Sequence, residues 1–77
     1  MKADKTLDCM GFTDPGPILR MAQTLKTLGT SEVLEIVANN RGIELDVPAW
    51  CRATGHEYLG LEQANQAMRL CVKKMHD

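Results

Sequence analysis

The chain has 77 residues and a net charge of −1 from 9 basic and 10 acidic side chains, with only 4% aromatic residues. That describes one small domain, residues 1–77, with a modest core. Neither its charge nor its aromatics suit nucleic-acid binding, and no apolar run is long enough to span a bilayer.

Residues Lys5–Asp8 are expected as a short first strand. A loop over 9–13 follows, with Gly11 permitting a sharp turn. Asp14 then stands where a helix N-cap belongs, with Pro15 at the first helical position, where its missing N–H is harmless. Ile18, Leu19, Met21, Ala22, Leu25 and Leu28 recur at helical spacing, so a helix is expected over 15–28, stopped by Gly29. Residues 32–38 form a nearly continuous apolar run, as expected of an interior strand. Asn39-Asn40-Arg41-Gly42 is a turn cluster.

A second helix is expected to begin near Asp46 as cap, with Pro48 in its first turn, and to end by Gly55. Ala49, Trp50 and Ala53, with Val47 or Cys51, would supply its buried side. Strands over 57–62 and 67–73 close the chain, joined by 63–66. In the last strand Met68, Leu70 and Val72 point toward the helices; Arg69, Cys71 and Lys73 point to the open face. The order β-α-β-α-β-β predicts an α/β (α+β) two-layer sandwich. Its four-stranded mixed sheet carries two helices on one face, with parallel first strands and a terminal hairpin.

Chemistry concentrates at the junction of the first strand and first helix. Unpaired amides and the positive end of the helix dipole converge on residue 14. The three cysteines, Cys9, Cys51 and Cys71, are widely spaced. They suit free thiols in a reducing compartment better than disulfides, and no CxxC or HxxxH pair suggests zinc. Met1-Lys2-Ala3-Asp4-Lys5 has no apolar signal core behind it, so a cytoplasmic location is expected. Cys9 shares strand parity with Leu7 and should point inward, where a thiol is inert; it is still the thiol nearest residue 14. Cys51 is expected to pack in the core, and Cys71 to be an exposed thiol beside two cations. His56 has no nucleophile in view and is expected to be structural or solvated. Met10 and Phe12 suit an apolar rim to the loop, and Met21 the core.

Leu7-Asp8-x-x-Gly11-Phe12-x-Asp14-Pro15-Gly16-Pro17 resembles the N-terminal signature LDxxGxxCPxP of the TusA/SirA-like sulfur-carrier family. The strand around Glu32-Val33-Leu34-Glu35-Ile36 resembles that family's second strand. Asp46-Val47-Pro48-Ala49-Trp50-Cys51-Arg52-Ala53-Thr54-Gly55-His56 resembles its D-[IV]-P-x-W-C-x-x-T-G-H segment. The resemblance covers most of the chain and implies the same β-α-β-α-β-β sandwich. It also implies a carrier that holds sulfur as a persulfide without a cofactor. Such a carrier exchanges sulfur with donor or acceptor proteins such as desulfurases, rhodanese-type and DsrE-like proteins. Candidate site residues are then Asp14, at the position of the acceptor cysteine, and Cys9 as an alternative thiol. The motif residues Gly11, Pro15 and Pro17, with Arg41 and Asp46, are the candidate binding residues.

A carboxylate cannot form a persulfide or join thiol exchange. Two functions follow. One is a sulfur-relay protein that uses another cysteine or has lost carrier activity. The other is a binding or regulatory module that keeps the family's docking surface with a fixed negative charge at position 14.

Overall fold

The computed structural model describes residues 2–11 and 16–77. Its elements are β1 (Lys5–Asp8), α1 (Gly16–Leu25), β2 (Val33–Ala38), α2 (Ile43–Thr54), β3 (Glu57–Ala64) and β4 (Ala67–Lys73). The strands form one sheet in the order β1-β2-β4-β3. β1 runs parallel to β2, with Leu7 opposite Ile36, while β4 is antiparallel to both β2 and β3. This is the expected two-layer sandwich with a mixed sheet.

Alternation places the core. Leu34, Ile36 and Ala38 of β2 and Met68, Leu70 and Val72 of β4 are buried on the helix side. In α1, Pro17, Met21 and Leu25 recur every fourth residue and form its buried stripe, while Leu19 is exposed. α1 is shorter than its apolar spacing suggests. After Leu25 the chain tightens into i→i+3 turns, Thr27 N–H donating to the Thr24 carbonyl and Leu28 N–H to that of Leu25. Leu28 still packs against the core.

α2 departs more from expectation. It starts at Ile43, not near Asp46, and Pro48 lies inside it rather than in its first turn. Gly42 occupies the N-cap without a side-chain cap, and the Asn40 side chain accepts the Gly42 N–H at 2.9 Å. The early start lets Ile43 join Val47 and Cys51 in one buried row at i, i+4, i+8. Burial of that row outweighs the proline, which only deprives the Glu44 carbonyl of its helical donor. Ala49 and Ala53 are consequently exposed, not buried, and Trp50 is half-buried against the core. Gly55 ends the helix in the left-handed region, φ 84°, its N–H donating to the Cys51 carbonyl.

The hairpin turn is tight. Asn65 and Gln66 both have positive φ, 52° and 68°, as a two-residue turn of the primed kind requires. β3 therefore runs two residues beyond its expected end, and a bulge between Tyr58 and Gly60 shifts its register.

Cys71 corrects a further expectation. It does share its face with Arg69 and Lys73, yet it is buried rather than exposed. β4 is an interior strand, and Cys71 stands in register between Glu35 and Gly60. The longer Glu35 and Arg69 side chains on the same face are paired at 3.1 Å. Burial raises its pKa, and Glu35 and Glu62 push the same way, so the neighbouring cations do not activate it.

Candidate functional site

Parallel pairing of β1 and β2 brings their carboxyl ends together, the usual place for a site in such sheets. Among the described residues, three hydrogen bonds hold the loop leaving β1. Cys9 N–H donates to the Val37 carbonyl at 2.7 Å, and Met10 N–H to Asp8 Oδ1 at 2.9 Å. Gly11 N–H donates to Asn39 Oδ1 at 3.0 Å. Gly11 has φ 81°, the turn its residue type permits. Asp14, Pro15 and Phe12 lie outside the described residues. Pro17, at the second position of α1, is fully buried.

Cys9 is fully buried, as its parity with Leu7 implied. Desolvation raises its pKa; Arg20 opposes that and Asp8 adds to it. Cys51 is buried on α2, its pKa pushed up to about 11 by desolvation, with Arg52 opposing. With Cys71, every thiol of the chain is therefore buried and shifted away from thiolate.

Beside the loop lies a polar cleft of about 280 Å³, lined by Asn39, Arg41, Glu44, Gln63, Gln66 and Met68. Asn39 thus both anchors Gly11 and walls the cleft. Arg41 reaches toward Glu44 at 3.8 Å and is largely exposed. Asp46 is not a cap. It sits with Glu44 in the opening turn of α2, where carboxylates meet the positive end of the helix. Met10 is 40% exposed on the loop, as a rim residue would be, whereas Met21 is fully buried. The structure thus brings together Cys9, Gly11 and Asn39, with Arg41 one cleft away. The hairpin residues Gln63 and Gln66 were missed from sequence, because only the antiparallel return of β4 carries them to this end.

The opposite end of the sheet holds a second group that sequence reasoning missed in part. His56 stacks between Trp50, at 5.4 Å, and His76, at 4.3 Å. His56 is half-buried and structural, as expected, but nothing in the sequence pairs it with His76.

Among the described residues no cluster of His, Cys, Asp or Glu could hold a metal ion, and no helix is long and apolar enough to cross a membrane.

In fold the chain is a small two-layer sandwich with two helices on a four-stranded mixed sheet. The chain belongs to the sulfurtransferase TusA family, whose model matches residues 5–74. It is 42% identical over 74 residues to YrkF of Bacillus subtilis, a proposed sulfur carrier. That match takes in 96% of this chain but only 40% of YrkF, so the chain spans less than half the length of that relative. A proposed sulfur carrier of Archaeoglobus fulgidus is 32% identical over 90% of this chain and 94% of its own. YrkI of B. subtilis, also a proposed sulfur carrier, is 31% identical over 96% and 99%. In fold, the chain is similar to the SirA-like protein of Desulfitobacterium hafniense, with a TM-score of 0.81, 20% identity, and coverage of 94% and 99%.

Proposed function

We propose that this chain serves sulfur transfer as a docking member of the relay, presenting the family's surface without holding sulfur itself. One conjunction carries the reading. The motif position has a carboxylate, and Cys9, Cys51 and Cys71 are all buried with raised pKa values. Thiol–persulfide exchange needs an accessible thiolate, and none of these thiols offers one. The docking surface on this reading is the loop at Gly11 with the Asn39–Arg41 cleft, and Asp14 holds the charge of a thiolate without its nucleophilicity. Its partners are sulfur donor or acceptor proteins of desulfurase, rhodanese or DsrE-like type. Three unpaired thiols suit a reducing compartment, the cytoplasm.

A second reading, Cys9 as carrier, has one observation behind it: Arg20 opposes the desolvation of this thiol at the end of β1. Intact-mass measurement after incubation with inorganic polysulfide separates the two. The docking reading expects no added sulfur on the native chain, together with binding to a cysteine desulfurase that Arg41→Glu weakens. A gain of one sulfur atom on Cys9 overturns it in favour of the carrier.

A further inference from the structure

The far end of the molecule, where α1, α2 and β4 all finish, lies away from the Gly11 loop and the Asn39–Arg41 cleft. Residues 75–77 leave β4 as a strap and cross the end of α2. His76 Nε2 lies 2.7 Å from the Thr54 carbonyl, and its Nδ1 lies 3.1 Å from the main-chain oxygen of Asp77. Both oxygens can only accept, so the ring satisfies both when it carries two protons. Its Nε2 also packs over Gly55, 3.6 Å from where a Cβ would stand. His56 is the reverse case. Its Nδ1 accepts the Met75 N–H at 3.1 Å, so this ring must be neutral at that atom. The two imidazoles are nearly parallel, 11° apart, with centroids 4.3 Å apart.

We propose that His56 and His76 work as a singly charged pair that clasps the strap onto the end of α2, and that either a second charge or loss of the only one loosens it. A second proton goes to His56 Nδ1, expels the Met75 N–H, and sets two cations face to face. Loss of the proton from His76 leaves a ring that can donate to only one of its two carbonyls. It also removes a positive charge from the negative end of α2. Lys74 disfavours charge on both rings, while Asp77 favours it on His76. Lys26 of α1 lines the same cavity, and Arg52 stands in the last turn of α2. The shifts agree in direction. Desolvation first, then His76 and Lys74, lower the His56 pKa below 6.5; the Thr54 and Asp77 hydrogen bonds raise that of His76 above it. The clasp is therefore complete between the two. The strap also walls a cavity of about 230 Å³ lined by Leu25, Trp50 and Lys74, so its release opens that cavity.

The test follows the Met75 amide protection factor and Trp50 fluorescence against pH. Trp50 is the only tryptophan of the chain. Protection should pass through a maximum and fall on both sides, with ring-proton NMR showing one histidine titrating below 6.5 and the other above. His76→Gln keeps a donor that does not titrate and should abolish the alkaline fall alone. His56→Gln keeps a carbonyl acceptor for Met75 and should abolish the acid fall alone. A flat protection profile, a common pKa for both rings, or an unchanged profile in both variants overturns the proposal.

Discussion

The Asn39 side chain reaches across the end of the sheet and accepts the Gly11 N–H at 3.0 Å, tying the loop after β1 to the loop after β2. The two loops are 28 residues apart in sequence and meet only because β1 and β2 run parallel. The bond fixes the turn that leads into the motif, at a glycine whose φ of 81° suits no bulkier residue well.

Removing that acceptor should therefore loosen the loop before it unfolds the domain. Asn39→Ala is expected to cost about 0.5–1.5 kcal/mol in thermal or urea unfolding, the net worth of one hydrogen bond. The Gly11 amide should exchange faster in the same variant, whereas Asn39→Asp, which keeps an acceptor, should preserve its protection. Unchanged Gly11 exchange in Asn39→Ala would show that the loop is held by other means.

Lys74 offers a test at the other end. It is a buried cation, 6% exposed, and its Nζ donates to the Leu28 carbonyl at 2.7 Å, satisfying the chain where it leaves α1. Lys74→Met keeps most of the stem but leaves that carbonyl without its donor. The expected loss is about 1–3 kcal/mol by chemical denaturation. Lys74→Ala should lose more, because the packing of the stem goes with it. Equal losses in the two variants would assign the whole effect to the bond.

The strands and the helix count were legible because alternation and helical spacing are local properties of the chain. β1 and β4 fall where the apolar pattern put them. The start of α2 was not legible, because Asp46 and Pro48 carry the local marks of a helix beginning, and tertiary burial of Ile43 overrides them. The face of Cys71 followed from parity, but its burial did not, since its neighbours Glu35 and Gly60 come from two other strands. The partnership of His56 with His76 had no sequence signal, since 20 positions and the whole hairpin separate them. At the site, the Gly11 turn and the inward Cys9 could be read from residue type and parity. The anchoring by Asn39 could not, since only the parallel register supplies it.

The thiols make stability depend on alkaline pH. Burial raises Cys51 from 9.0 to about 11, so in the folded chain it holds its proton where the unfolded chain has already lost it. Over that window the unfolded state binds fewer protons, and stability falls as pH rises. The stabilisation is whole below pH 9 and is lost as pH approaches 11, by roughly 2–3 kcal/mol for a shift of this size. Cys51→Ala should start less stable, because of the cavity it leaves, but lose less between these limits. Denaturant titrations of both proteins at stepped pH check the difference. Parallel decline would mean that Cys51 titrates alike in the folded and unfolded chains.

The last prediction concerns residue 14, where the proposed reading sets a carboxylate in place of a carrier's thiol. Asp14 lies two residues before Gly16, the first residue of α1, in a stretch that matches LDxxGxxCPxP except for the cysteine. If residue 14 caps α1, as its place in the sequence implies, a thiol there meets unpaired helix amides and the positive end of the dipole, which favour thiolate. Asp14→Cys should therefore react with inorganic polysulfide. Its thiolate attacks the terminal sulfur, the adjacent S–S bond breaks, and the shortened polysulfide leaves with the electron pair. The variant gains the mass of one sulfur atom at residue 14, while the native chain gains none. Making the same substitution in an Asn39→Ala background should slow the reaction if the anchored loop orients the site. A folded Asp14→Cys protein whose new thiol takes up no sulfur would show that the carboxylate is not all that separates this chain from a working carrier.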